Sequence, residues 1–181
     1  DYKRNLKTIH QTPAVIPSAF NPKTDENRQL LRDVLADGRT VMTEFEAKKF
    51  LDNYQIGVIK NGIAATEEEA VKLANELGYP VVMKIASPDI LHKTDVGGVV
   101  LNIKREEDAI RYFNQIMESA KTAMPEADIR GVLVEQMMKK RYELIIGCKR
   151  DPIFGPTIVF GMGGVAVEVF KDTTVGLPPL N

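Results

Sequence analysis

The amino-acid sequence predicts an α+β fold of two small lobes, and three observations carry that prediction. Two segments open with the side-chain pattern of a helix start. Two apolar, β-prone runs then flank one polar loop and lead into a third helix. The rest of the chain reads as strands in succession. This order of helix, helix-strand-strand-helix and strands lacks the strict alternation of a doubly wound sheet. With 181 residues, 44% of them apolar, the chain can bury about two thirds of its unfolded surface and needs no disulfide or metal to hold a core.

The first 39 residues read as a linker from preceding domains, because Pro13, Pro17 and Pro22 interrupt regular structure; Arg28 to Ala36 reads as a short helix ended by Gly38. Thr43-Glu44-Phe45-Glu46 is a capping box, and Ala47, Phe50, Leu51 and Tyr54 follow at helical spacing, so a helix is expected over 44–54. Thr66-Glu67-Glu68-Glu69 repeats the pattern, with Ala70, Leu73, Ala74 and Leu77 on one face and Gly78 as the stop. Val81–Ala86 and Gly98–Ile103 are the two strands around the loop. A helix over 105–121 turns Ala109, Phe113, Ile116, Met117 and Ala120 inward. Strands follow at Val132–Met137, Tyr142–Cys148 and Thr157–Phe160, with Val165–Val169 a further candidate. The expected division is therefore a linker over 1–39, one lobe over 62–131, and a second lobe from 40–61 with 132–181. The chain does not start with Met and stops at Leu177-Pro178-Pro179-Leu180-Asn181, and so reads as a piece of something longer.

Charge and composition remove several function classes. A net charge of −1 with no run of five basic residues argues against nucleic-acid binding. No apolar run approaches the ~20 residues that span a bilayer, so no membrane role is expected. Cys148 is the single cysteine and is expected to be a small buried hydrophobe; with no apolar signal segment, a reducing cytoplasm is the expected location. With only His10 and His92, and no CxxC, a dedicated zinc site has no support. Gly161-Met162-Gly163-Gly164 is followed by a strand pattern rather than a helix, which argues against a dinucleotide site and leaves a glycine-rich turn with close backbone approach.

The residues that can do chemistry lie around the loop. Lys84 interrupts the apolar run Val81–Ala86, so its ammonium needs an anion. A structural ion pair, an exit to solvent along the alkyl stem and a ligand phosphate all satisfy that need. Ser87-Pro88-Asp89-Ile90-Leu91-His92-Lys93-Thr94-Asp95-Val96-Gly97-Gly98 combines an imidazole, an ammonium and two adjacent glycines. Glycines let backbone amides approach a phosphate, Lys93 supplies charge, Asp95 is placed to orient the ring, and an unprotonated nitrogen of His92 can accept a phosphoryl group. A mobile hairpin loop with a surface histidine fits the same residues. Glu135, Glu143 and Glu168 each interrupt an apolar strand, as outward-facing residues or as partners of a ribose, an amine or a cation.

The stretch Gly78–Ile85, the loop Ser87–Val99, Glu143, Gly147, Asp151-Pro152-Ile153-Phe154-Gly155-Pro156, Gly161–Gly164, Glu168 and Asp172 together resemble the ATP-grasp domain of ADP-forming acetyl-CoA (acyl-CoA) synthetases, relatives of succinyl-CoA synthetase. The resemblance covers residues 40 to 181, and Asn5 with Gln11-Thr12-Pro13 looks like the segment joining this domain to upstream CoA-binding domains. It implies an ATP-grasp fold with an incomplete second lobe, ATP or ADP and Mg²⁺ as cofactors, and CoA-ligase domains of the same enzyme as partners. It also implies a relay in which an acyl phosphate passes its phosphoryl group to a histidine elsewhere, then to His92, then to ADP. Lys84 and Lys93 match phosphate contacts beside Gly97 and Gly98. Val134, Glu135, Gln136 and Met137 match the hinge that holds adenine and ribose, and Glu143 matches a polar contact near the nucleotide. Mg²⁺ ligands are expected beyond Asn181, so the piece is expected to bind nucleotide weakly and to be inactive alone. Some multidomain protein lysine acetyltransferases carry the same region, there as a regulatory part. Acyl substrate, direction of flux and oligomeric state stay open.

Overall fold

Alternation along two strands decides which face of the main sheet becomes core. Val81, Met83 and Ile85 of one strand and Val132 and Val134 of another point the same way into a fully buried cluster. The intervening Val82, Lys84 and Ala86, with Leu133 and Glu135, occupy the opposite face. In the computed structural model, residues 20–139, 142–164 and 173–178 are described. They fall into two compact units, the first Asn21–Met138 and the second running from Lys139.

In the first unit α1 (Thr24–Ala36) and α2 (Glu44–Asn53) precede β1 (Asn61–Ala64), α3 (Glu67–Leu77), β2 (Val81–Ala86), β3 (Val99–Ile103), α4 (Glu106–Ala123) and β4 (Gly131–Gln136). The sheet order is β1-β4-β2-β3, and every neighbouring pair is antiparallel. Helices α3 and α4 pack together on the core face, where Ala70 and Ala74 meet Ala109, Phe113, Ile116 and Ala120. β3 gains one residue over β2 between the Met83 and Val81 pairings, and Asn102 takes φ 60° there, as a bulge requires. In the second unit β5 (Leu144–Asp151), β6 (Gly155–Met162) and β7 (Thr173–Gly176) form an antiparallel sheet in that order.

The fold is the α+β arrangement expected, and the two lobes are divided differently. β4 lies between β1 and β2, so 132–136 belong with 62–131, and the unit extends back to Asn21 rather than starting after a linker ending at 39. Asn27 of α1 is buried, donating to the Phe50 carbonyl (3.0 Å) and accepting from Asn53 (2.8 Å), which ties α1 to α2. Cys148 is exposed on β5 rather than buried, because β5 presents exposed residues along nearly its whole length. The candidate strand at Val165–Val169, with Glu168 and Asp172, and the segment holding Asn5 and Gln11–Pro13 lie outside the described residues. Among the described residues no helix is long and apolar enough to cross a membrane.

Candidate functional site

The first turn of α2 is built to hold a carboxylate in place. The Thr43 hydroxyl accepts from the Glu46 amide (3.3 Å) and the Glu46 carboxylate accepts from the Thr43 amide (2.7 Å), closing the capping box read from sequence. Arg39 clamps the same carboxylate with two hydrogen bonds, at 2.7 and 2.9 Å. Those Arg39 bonds, against an opposing effect of burial, hold the Glu46 carboxyl at about 2. With the turn pinned this way, Glu44 and Lys48, one turn apart, share one side of α2 and pair at 2.9 Å.

Glu44 and Lys48 meet the polar face of the sheet. Glu135 sits opposite Val82 on the neighbouring strand, one diagonal step from Lys84 on the same face. Lys84 Nζ donates to Glu44 Oε1 at 2.7 Å and also pairs with Glu135, and Lys48 pairs with Glu135 as well. Lys93 Nζ, arriving from the loop, lies 3.4 Å from Glu44 Oε2. Three ammonium groups thus converge on two carboxylates, and Glu135 is only 4% exposed. Burial alone would raise the Glu44 pKa, but the hydrogen bonds from Lys84 and Lys48 outweigh it and hold the group at about 2. For Lys84 burial opposes the charge, and the hydrogen bonds to Glu135 and Glu44 outweigh it and push its pKa up.

The need of Lys84 for an anion is therefore met by two carboxylates. Glu135 is not solvent-facing but buried between two lysines. In the sequence Glu44 and Lys48 stand out only as members of a helix; the signal that points to them is their i, i+4 spacing together with the unmet charge on Lys84. His92 is exposed beside Lys93, and the structure brings Lys84, Lys93 and Glu135 into one cluster around Glu44. The two loop glycines do not offer free amides. Gly97 N donates to Thr94 O (3.1 Å) and Gly98 N to Lys93 O (2.8 Å). Their role is steric: Gly97 takes φ 67°, and a Cβ on Gly98 would stand 2.6 Å from Ile85 Cγ2. Asp95 meets His92 through backbone, its amide donating to the His92 carbonyl at 3.2 Å.

At the hinge, Val134 is fully buried among core residues, so its side chain faces α3 and α4 and is not offered to a ligand. Met137 is half-buried and its amide donates to Pro80 O at 3.1 Å. Glu143 belongs to the second unit, where its carbonyl accepts from Gly163 N at 2.7 Å; a Cβ on Gly163 would fall 2.8 Å from Glu143 Cγ, the close approach expected of that turn. A pocket of about 280 Å³ in the first unit lies between the first turn of α2 and the segment after β2, with Glu44, Lys93 and Arg130 among apolar neighbours such as Phe45, Ile90 and Leu133. Among the described residues no three His, Cys, Asp or Glu side chains are grouped to hold a metal, and Glu44 and Glu135 are engaged by lysines. These residues do not make a Mg²⁺ site.

The cluster sets three ammonium groups against two carboxylates and so keeps a surplus positive charge. The beta subunit of acetate–CoA ligase [ADP-forming] II from Pyrococcus furiosus is 46% identical over 155 residues, covering 86% of this chain and 66% of that protein. The 4-hydroxybutyrate–CoA ligase [ADP-forming] of Nitrosopumilus maritimus is 44% identical over 95% of this chain and 24% of its own length. The chain therefore spans just under two thirds of the curated subunit and about a quarter of the longer ligase. The dinucleotide forming acetyl-coenzyme A synthetase 1 of Ca. Korarchaeum cryptofilum, solved with coenzyme A and Ca-AMPCP, superimposes with a TM-score of 0.81 at 45% identity, covering 86% of this chain and 68% of that one. Another structure of that enzyme, with Mg-AMPPCP, has its phosphohistidine segment pointing towards the nucleotide binding site (TM-score 0.72, 41% identity, 85% and 65% covered). Residues 33–181 match the ATP-grasp domain family, and the chain belongs to it.

Proposed function

We propose that the chain is the nucleotide-binding, phosphoryl-transferring part of an ADP-forming acyl-CoA ligase, working in the cytoplasm with CoA-binding domains of the same enzyme. The observation that carries this reading is Glu44 joining Lys84, on β2, to Lys93, the neighbour of His92. Two cations from separate segments reach one carboxylate, and paired cations of this kind suit a multiply charged anion. Lys84 and Lys93 bind and orient the nucleotide phosphates, and Met137 at the hinge contacts the rest of the nucleotide. Gly97 and Gly98 shape the loop that carries His92 and do not themselves bind phosphate.

In the ATP-forming direction His92 receives the phosphoryl group from an upstream donor and passes it to ADP. In the reverse direction an unprotonated ring nitrogen of His92 forms the N–P bond as the bond from phosphorus to the ADP oxygen breaks, the electron pair leaving on ADP. Catalysis then comes from positioning and from neutralising charge on the transferred group, which is what the lysines supply. Mg²⁺ would neutralise phosphate charge when bound.

The test is to incubate the intact enzyme with γ-labelled ATP and Mg²⁺. An acid-labile, base-stable protein label that disappears in His92→Ala is expected, and an undiminished label in that variant defeats the proposal.

A further inference from the structure

We infer that Glu44 is a positioning residue that stands in for the polyphosphate, holding Lys84 and Lys93 a carboxylate's width apart until the anion takes its place. This rests on the nucleotide reading above and adds to it an exchange of partners within the site. Glu44 touches all three lysines: Lys84 at 2.7 Å, Lys48 at 2.9 Å and Lys93 at 3.4 Å. Glu135 pairs with Lys48 and Lys84 from the other side. The five groups sum to +1, so the cluster has one positive charge to spare even when every carboxylate is engaged.

An arriving polyphosphate competes with Glu44 for Lys84 and Lys93. Lys48 decides whether that exchange is affordable. A displaced carboxylate left without a counter-ion in a half-buried site would oppose binding strongly. Lys48 contacts both carboxylates at once, so Glu44 and Glu135 keep a cation after Lys84 and Lys93 turn to the ligand. The exchange also reaches the loop. Lys93 is tied to α2 through its side chain and to Gly98 through its carbonyl, and Gly98 abuts Ile85. Releasing its ammonium from Glu44 therefore loosens the turn next to His92.

The experiment uses the intact enzyme, with inorganic tripolyphosphate and ADP as separate probes and with amide hydrogen exchange over residues 92–98. Glu44→Gln keeps the shape and removes the charge: it is expected to speed exchange in the free protein and to tighten tripolyphosphate binding roughly fivefold, the scale of a modest coupling energy. Glu44→Asp is expected to restore slow exchange in part. Lys48→Met is expected to act in the opposite direction, weakening tripolyphosphate binding roughly fivefold, and remains informative if the glutamine variant folds poorly. Unchanged exchange and unchanged affinity in Glu44→Gln, or unchanged affinity in Lys48→Met, would overturn the inference. If tripolyphosphate behaves as expected while ADP does not bind, the exchange stands and the nucleotide reading is what fails.

Discussion

Glu44 and Glu46 are two residues apart on one helix turn and are held by different cations, Glu44 by Lys84 and Lys48, Glu46 by Arg39. Both carboxyls sit at about 2 against a usual 4.5, so the folded state binds their protons less tightly than the unfolded chain does. Their stabilisation is complete above pH 4.5 and is lost as the pH falls towards 2. Each contributes on the order of 1–2 kcal/mol, less than the full shift because both side chains keep some contact with water. Urea unfolding between pH 6 and pH 2.5 checks this: Glu46→Gln should be less stable at pH 6 and lose less on acidification than the parent. Equal slopes would show that the Arg39 clamp contributes nothing. At this scale the sequence signals a buried charge at Lys84 but not which acids answer it, since Glu44 comes from forty residues upstream and Glu135 from a strand whose register no local pattern specifies. The loop glycines were legible as required, while their reason, packing on Ile85 and a left-handed turn, was not.

Helix ends and apolar runs announce themselves locally, and the elements that rely on them match closely. α2 carries both bonds of the capping box. α3 departs in one detail: Glu69 reaches back to the Ala65 amide (2.7 Å) rather than to Thr66, although Thr66 still accepts from the Glu69 amide. β1 has no local signal, because Asn61-Gly62-Ile63-Ala64 has too few β-formers to announce a strand; it exists by pairing with β4. Gly62 belongs there because a Cβ would meet Leu73 Cδ2 at 2.9 Å. The same crossing makes Gly131 a sharp test of the element. It has φ 126°, and a Cβ would come within 2.2 Å of the Ala64 carbonyl oxygen, a backbone atom that cannot rotate away. Gly131→Ala should cost about 2–4 kcal/mol and lower the melting temperature by several degrees. A melting temperature within a degree of the parent would mean that β1 and β4 do not cross so closely in solution.

For the molecule as a whole, the first unit holds the core, and residues 21–138 should fold alone. A fragment of those residues is expected to show native-like helical circular dichroism and one cooperative urea transition; a broad, non-cooperative transition would show that its core needs more of the chain. By itself the sequence determined the α+β class, the capped helices, the strands on either side of the His92 loop and the family resemblance, because periodicity, caps and motifs are properties of short stretches. Only the tertiary structure decided where the first unit ends, that Val134 turns inward, that the loop amides are already used, and that Glu44 and Lys48 join the site. Those outcomes depend on antiparallel register and on which helix covers the second face of the sheet. Burial makes charges choose partners by distance in space, and the chain's own order does not record that distance.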